Sequence, residues 1–403
     1  MAGPLEGVRV LDLSRVLAGP WASQNLADLG AEVIKIERPG AGDDTRGWGP
    51  PYVEDAAGQP SEVSAYFLSA NRGKRSVTVD FTRPEGQEIL RRLAAESDVV
   101  LENYKFGGLR KYGLDHDGLR AVNPRLIYCS ITGFGQTGPY RQRTGYDFLL
   151  QAMGGLMSVT GEPGGEPMKV GVAITDILTG MYASTAILAA LHERGRSGEG
   201  QHIDLALFDV QIATLANQAL NYLVSGREPR RLGNAHPSIV PYQSFATVDG
   251  DIVLAVGNDE QFRRFVTAAG RPDLAEDERF RTNTGRVRNR EVLVPLLRDI
   301  VAGQTTAQWL AQLEPLGVPC GPVNGVAAAF ADPQAQARGM RLEMRHPELG
   351  TVPGVASPMR FSRTPIAYEQ APPRLGEHTE AVLRERLGAS EAEIAQWREQ
   401  GTI

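Results

Sequence analysis

EGVRVLDLSRVLAGPWASQNLADLGAEVIKIE, residues 6 to 37, reads as strand, helix and strand in succession. VRVLDL at 8–13 and EVIKIE at 32–37 are short apolar runs rich in β-branched residues, and the span from Trp21 to Leu29 between them reads as a helix. Two strands joined through a helix make a βαβ unit, whose strands run parallel. The pattern continues with SVTVDF at 76–81, a helix opened by Pro84 that carries Ile89, Leu90 and Leu93, DVVLEN at 98–103 and RLIYCSIT at 125–132. Runs this apolar need cover on both faces, so an α/β fold with a helix-flanked parallel sheet is expected.

Further along, KVGVAITDILTGMYASTAILAALHERGRSGEGQHIDLALFDV, residues 169 to 210, sets Asp176 where small residues run into a long helix, expected over 176–193. Ile177, Met181, Thr185, Ile187, Leu188 and Leu191 recur at helical spacing. Asp176 is therefore expected to be a cap or first-turn residue, kept ionised by free backbone N–H groups and the helix dipole. An ionised carboxylate can attack an activated acyl group, although an Asp at a helix start ordinarily only caps it.

A second helix is expected near 209–225, and the texture changes at SGREPRRLGNAHPS. A domain boundary is expected there, with a smaller α+β domain after it. YQSFATVDGDIVLAVG reads as a hairpin turning at Asp249 and Gly250, followed by helices at 259–270 and 290–302. Pro-rich segments at 347–358 and 364–373 precede helices at 377–387 and 390–400, the last opened by the capping box Ser390 to Glu393.

With 42% hydrophobic and 22% charged residues over 403 positions, the chain has a globular composition. A net charge of −6 lacks the basic footprint of a nucleic-acid binder. Cys129 and Cys320 form no CxxC pattern, and the histidines at 116, 192, 202, 236, 346 and 378 form no ligand pair, so neither a disulfide framework nor a metal is implied. No secretory leader pattern and no run of 18 apolar residues is read, and the expectation is a cytoplasmic protein without membrane contact.

GFGQTG at 133–138 matches a dinucleotide fingerprint, but Pro139 and Tyr140 interrupt the helix such a site requires, so a plain Gly-rich loop is the better reading. Basic residues recur near the expected C-terminal ends of the strands: Arg38, then Arg72, Lys74 and Arg75, then Lys105, Arg110 and Lys111. Open α/β sheets bind ligands at that edge, and such groups can grip phosphates; a solvated rim explains them as well. GNAHPS around His236 is small enough to bring backbone N–H groups against a substrate. No GxSxG elbow and no P-loop is present.

Several of these motifs together resemble the family III coenzyme A transferases (CaiB/BaiF, the formyl-CoA and carnitine-CoA transferase type), over nearly the whole chain. The segments are VLDLSRVLAGPWASQNLADLGAEVIKIERPGAGDDTR, NRGKRSVTVDF, VLENYKFGGL, YCSITGFGQTGPY, TGYDFLLQAMGGLM and the Asp176 helix with RGRSGEGQHIDLALFD. GDDTRGWGPP, NAHPSIVPYQSF and LGEHT look most like the succinate–hydroxymethylglutarate (glutarate) CoA-transferases. GNAHP in place of a glycine run, and Leu17 in place of Gln, depart from the oxalate-using members.

The resemblance implies a Rossmann-like large domain over 1–224, a small α+β domain over 225–329 and a return to the large domain over 330–403, in ring-shaped subunits that interlock as a homodimer. It implies no permanently bound cofactor, with CoA, its thioesters and small carboxylic acids as the substrates. Asp176 matches the family's nucleophile. The implied CoA set is Val16, Arg38, Arg72, Lys74, Arg75, Asn103, Tyr104, Lys105, Lys111, Arg143, Thr144, Gly145 and Tyr146. Gly233, Asn234, Ala235 and His236 match a mobile loop over the active site, while position and charge nominate Arg15 and Arg46 for the remote carboxylate of a dicarboxylic acid. Two alternatives stand beside transfer. An α-methylacyl-CoA racemase carries a GHDINY-like pattern, whose histidine is replaced here by Tyr146 in TGYDFL. A non-catalytic CoA-binding dimer would not need the intact Asp176 segment.

Overall fold

Parallel pairing of the apolar runs builds the central sheet. In the computed structural model, which describes residues 3–55 and 57–403, the strands are β1 Arg9–Asp12, β2 Glu32–Glu37, β3 Tyr52–Glu54, β4 Pro60–Ser64, β5 Lys74–Thr78, β6 Val99–Glu102, β7 Ile127–Thr132, β8 His202–Ala206, β9 Tyr242–Ala246, β10 Asp251–Ala255, β11 Cys320–Pro322, β12 Arg341–His346 and β13 Gly350–Val355. Six of them form one parallel sheet in the order β5-β2-β1-β6-β7-β8. Val10 on β1 pairs with Val33 on β2 and with Val99 on β6, which fixes the register at the sheet centre.

Both faces are covered, as their composition requires. Leu11, Ile34, Ile36, Val77 and Val100 pack with Ile89, Leu90 and Leu93 of the helix Pro84–Ala95 and with Val382, Leu383 and Ile394 near the far end of the sequence. Val10, Val33, Val99, Leu101 and Ile127 pack on the other face with Ala22 and Leu26 of the helix Ala18–Asp28 and with Ala183 and Ile187 of the helix Ile174–Ser197. These two helices approach closely at Gly180, where an added Cβ would stand 2.7 Å from the Ala18 carbonyl oxygen. The sheet interior also holds two buried ion pairs, Lys35 with Asp43 at 2.9 Å and Lys74 with Asp12 at 3.3 Å.

The chain divides into a larger unit of 1–155, 170–219 and 334–403 and a smaller unit of 156–169 and 220–333. The smaller unit has an antiparallel sheet, β11-β10-β9, over a core of Phe245, Ile252, Leu254, Phe262, Phe265, Leu293, Leu297 and Trp309. Residues 156–169, placed by the sequence reading in the large domain, join this unit, with the Gly233 N–H donating to the Gly161 carbonyl at 3.0 Å. The helix expected over 209–225 is two helices, Leu207–Ala213 and Ala216–Ser225, with Ala216 at φ 48. The Pro-rich stretch at 347–358 contains β13, which pairs with β12 in a two-stranded sheet; Pro353 lies opposite Glu343 there, where a missing N–H is tolerated.

Candidate active site

Asp176 is the third residue of the helix Ile174–Ser197, whose preceding residue, Ala173, offers no side-chain cap. The cap comes from elsewhere in the chain. Asp147, first residue of the helix Asp147–Met153, accepts through Oδ1 from the Thr175 N–H at 2.8 Å and the Asp176 N–H at 3.3 Å. Its Oδ2 accepts from Gln151 Nε2 at 2.7 Å, and the Thr175 hydroxyl donates to Gln211 Oε1 at 2.7 Å, so the first turn is pinned on two sides. Of the two expectations, cap or first-turn residue, the second holds, and the expectation that N–H groups and the helix dipole keep Asp176 ionised is corrected. Burial, and then the charge of Asp147, push its carboxyl up to about 7. These two effects outweigh a dipole contribution that is ordinarily about 0.3–1 kcal/mol.

By length and hydropathy the helix Ile174–Ser197 would suffice to cross a membrane. Here Thr179, Gly180, Ala183, Ser184 and Ile187 are buried within the larger unit, which fixes the helix as a core element of that fold.

Asp176 lies in the wall of a cavity of about 490 Å³ that opens beyond the C-terminal ends of β1, β6 and β7, the edge at which parallel sheets take ligands. Arg15, Val16, Leu17 and Ala18 line it after β1, Asn103 to Phe106 and Gly108 after β6, and Ile131 to Gly133 at the end of β7. Arg141 and Arg143 to Tyr146 complete one side. That last segment is drawn in by a backbone contact that only glycine permits: a Cβ on Gly133 would stand 2.7 Å from Gly145 Cα.

The turn after β1 is strained. Val16 has φ 71, in a region that a β-branched residue rarely occupies. It is held there by its N–H donating to Asp43 Oδ1 at 3.2 Å, while Asn103 grips the neighbouring residue from both sides: Arg15 N–H donates to Asn103 Oδ1 at 2.9 Å and Asn103 Nδ2 donates to the Arg15 carbonyl at 2.7 Å.

Cations surround the cavity. Arg143 lies 4.5 Å from the Tyr140 ring and Arg141 5.1 Å from the Phe106 ring, stacking that leaves guanidinium edges available to an anion. Arg15 pairs with Asp44 at 2.8 Å and also lines an adjoining cavity of about 410 Å³, which contains Arg38 and shares Asp44 and Tyr104 with the first.

Of the residues nominated from sequence, Arg15, Val16, Asn103, Tyr104, Lys105, Arg143, Thr144, Gly145 and Tyr146 thus share one cavity with Asp176, and Arg38 lines its neighbour. Others lie elsewhere, all but Lys111 with donors already engaged. Arg72 is buried and clamps Asp28, with Nη2 2.6 Å from Oδ2 and Nη1 donating to the Val355 carbonyl at 3.0 Å. Lys74 is wholly buried; its Nζ reaches Asp12, the Pro20 carbonyl at 3.0 Å and Asn71 Oδ1 at 2.9 Å, and burial pulls its amine down to about 7. Arg75 pairs with Glu32 at 3.0 Å and with Glu385 at 2.8 Å. Lys111 sits over the Tyr112 ring at 4.6 Å, outside the cavity wall. Arg46 makes a two-pronged pair with Glu37, at 2.8 and 2.7 Å, over the Phe67 ring.

Gly233, Asn234, Ala235 and His236 line or border a cavity of about 280 Å³ in the smaller unit. There Asn234 Nδ2 donates to Ser244 Oγ at 2.8 Å and the His236 N–H donates to the Tyr242 carbonyl at 3.0 Å.

Sequence reasoning passed over Arg141 in the cavity wall and three further residues. Asp147 was seen only as the residue after Tyr146, because its partner helix lies 29 positions away. Trp48 lines the cavity and meets Tyr66 edge-on at 5.1 Å between ring centres. Burial, and then the charges of Asp176 and Asp147, push the Tyr66 phenol up, which places it within their field. GDDTRGWGPP pointed to the first of these aromatics; nothing local marked the second.

Comparison with known proteins gives concordant results. A family model described as CoA-transferase family III matches residues 5–379. A succinate–glutarate CoA-transferase of Agrobacterium fabrum is 54% identical over 387 residues, 95% of this chain and 95% of that protein. A succinyl-CoA:glutarate CoA-transferase of Homo sapiens is 46% identical over 402 residues, 99% of this chain and 90% of that protein. The crystal structure of a CAIB/BAIF family protein from Brucella suis superposes with a TM-score of 0.85 at 53% identity, covering 96% of this chain and all of that one (100%).

Proposed function

Because this chain belongs to CoA-transferase family III, we propose that it moves CoA from succinyl-CoA to a dicarboxylic acid of about glutarate size, with Asp176 as the covalent relay. The observation that carries the reading is the Asp176 carboxyl in one cavity wall with Asn103, Tyr104, Lys105 and Arg143 to Tyr146. The names of relatives at 46–54% identity support the choice of donor and acceptor class.

The ionised Asp176 attacks the thioester carbonyl, the C–S bond breaks, and an acyl-aspartyl anhydride forms with CoA leaving as thiolate. The thiolate attacks the Asp176 carbonyl, succinate departs with the anhydride's bridging oxygen, and an aspartyl-CoA thioester remains. The incoming carboxylate attacks that thioester, expelling the thiolate and forming a second anhydride. Thiolate attack on the acceptor's acyl carbon then releases the new CoA ester and restores Asp176. Both anhydride and thioester are hydrolysable, so water must be kept out; the segment 233–237 is the proposed lid. With Arg46 committed to Glu37, Arg15 is the remaining nominee for the acceptor's remote carboxylate.

A second copy completes the proposed assembly, an interlocked homodimer. In the larger unit Tyr146, Phe148, Met181, Tyr182 and Ile212 are exposed, and in the smaller unit Leu220, Leu223 and Val224 are, apolar surface that a second copy would cover.

Incubation with succinyl-CoA and a panel of mono- and dicarboxylic acids, with new CoA esters read by mass and Asp176→Ala run in parallel, tests the reading. Esters made by the unmutated protein alone support transfer through Asp176. Ester formation by Asp176→Ala refutes the covalent relay, and deuterium exchange into a 2-methylacyl-CoA without any ester favours racemase chemistry.

A further inference from the structure

Behind the loop that carries Asn103, Tyr104 and Lys105, the adjacent strands β6, β7 and β8 place Glu102, Ser130 and His202 on one sheet face. Glu102 pairs in register with Ser130, and His202 with Tyr128, two residues before Ser130, so the parity of the strands aims all three side chains the same way. Glu102 and Ser130 are 6% and 2% exposed. The Tyr104 N–H donates to Glu102 Oε2 at 2.7 Å, and the Ser130 hydroxyl on the neighbouring strand favours the charged form of that carboxyl. Ser130 Oγ lies 2.9 Å from His202 Nε2, and the His202 ring stacks on His116 with centres 4.9 Å apart and planes 11° from parallel.

The chemistry orders these bonds. When Glu102 is ionised it only accepts, which lets the Ser130 hydroxyl turn its hydrogen to that carboxylate and His202 Nε2–H donate to Ser130 Oγ. Burial lowers the affinity of His202 for a second proton, which suits a neutral ring with one N–H. Burial pushes the Glu102 carboxyl up to about 7, while Ser130 and the Tyr104 amide oppose that rise. A buried carboxyl held by an amide and a hydroxyl, with no ion pair among the described residues, adds little to fold stability, since desolvation offsets the bonds.

Its position suggests another use. A cavity of about 220 Å³ opens on Glu102, Ser130 and His202 and shares Lys105, Phe106 and Gly108 with the Asp176 cavity. The loop is thus a wall between two cavities. Its start is tied to the turn after β1 by Asn103 and to β6 by the Tyr104 amide, and its far side turns through Gly107 at φ 70.

We propose that Glu102, backed by Ser130 and His202, is a positioning residue for the CoA thioester, holding the Tyr104 amide and with it the Asn103–Gly108 loop in the form that receives CoA. The inference rests on the reading that CoA occupies the Asp176 cavity. Glu102 touches no reacting atom, so it governs how tightly the thioester is held and leaves the reactivity of Asp176 unchanged.

The test compares Glu102→Leu, Glu102→Gln, Ser130→Ala and His202→Phe with the parent protein, measuring the Kd for free CoA by calorimetry and KM and kcat with succinyl-CoA. Glu102→Leu is expected to raise Kd and KM about tenfold, the loss of one charge-assisted hydrogen bond, with kcat within about twofold. Glu102→Gln keeps an acceptor for the Tyr104 N–H and recovers most of the affinity. His202→Phe keeps a ring on His116 but loses the donor, raising KM about threefold. A folded Glu102→Leu with unchanged Kd, or with kcat reduced at unchanged Kd, overturns the proposal. Should that variant fail to fold, unchanged Kd in both Ser130→Ala and His202→Phe overturns it equally. Failure of the parent protein itself to bind CoA would instead remove the premise that CoA sits in this cavity, and the proposal with it.

Discussion

Replacing Asp176 by Asn should stabilise the protein at pH 8 while abolishing transfer. Asp176 ionises near 7 in the folded chain, against 3.8 for an ordinary aspartate. At about 1.4 kcal/mol per pH unit, that gap sets a ceiling of about 4 kcal/mol on the cost of keeping the charged nucleophile in place. Its side chain still reaches cavity water, which reduces the expected effect to about 2 kcal/mol, or a few degrees in Tm. The sign follows from proton counts. Between 3.8 and about 7 the folded chain holds a proton that the unfolded chain has lost, so this group's favourable contribution is complete below 3.8 and disappears as pH rises through 7. Asn carries no charge at any pH, so the advantage of Asp176→Asn over the parent protein should be smallest below 3.8, grow steadily between 3.8 and about 7, and level off by pH 8. Thermal unfolding of both proteins at a series of pH values measures it, with contributions of other titrating groups cancelling in the difference. An Asn variant that is less stable at pH 8, or an advantage that does not grow with pH, would refute the argument that burial and Asp147 raise this carboxyl.

The same electrostatics predict that Asp147→Asn, which keeps an acceptor for the Thr175 and Asp176 N–H groups but removes the charge, moves the acidic limb of the kcat/KM profile down by about one pH unit. A limb that stays in place would assign the whole effect to burial. Lys74→Met leaves Asp12 without its buried partner and should cost about 3 kcal/mol in a urea titration, while the folded variant binds CoA as the parent does; a specific loss of CoA affinity would return Lys74 to the binding set. Gly180→Val should lower Tm by about 5 °C or more, because its Cβ enters the 2.7 Å contact with the Ala18 carbonyl; an unchanged Tm would mean the two helices separate freely.

The strands of the central sheet were legible because their apolar, β-branched runs need no knowledge of what covers them. The helix after β1 was harder: it begins at Ala18 rather than Trp21, since Gly19 and Pro20 read as loop although proline is tolerated in a first turn. Charge was the least legible property. Arg72, Lys74 and Arg75 form a basic run, yet two of the three are buried and all meet acids 40 or more positions away, such as Asp28 at |i−j| of 44 and Asp12 at 62. Whether a cation faces a ligand or a neighbour depends on such distant pairing, which one sequence does not display. Asp176 was found by its setting, but its acidity was misjudged because burial, and then the charge of Asp147 arriving from another helix, are set by the fold.

One face of the sheet is completed by Val382, Leu383 and Ile394, which share a core with Leu11, Ile34 and Val100. The Thr78 N–H likewise donates to Thr379 Oγ1, and the His378 N–H to the Ser76 carbonyl. During synthesis at about 5–20 residues per second, the first strands therefore wait roughly 20 seconds or more for the segment that covers them. Until then the part of that face which the helix Pro84–Ala95 leaves uncovered is exposed in the nascent chain, and a ribosome stalled shortly before residue 379 would present it for chaperones to shield.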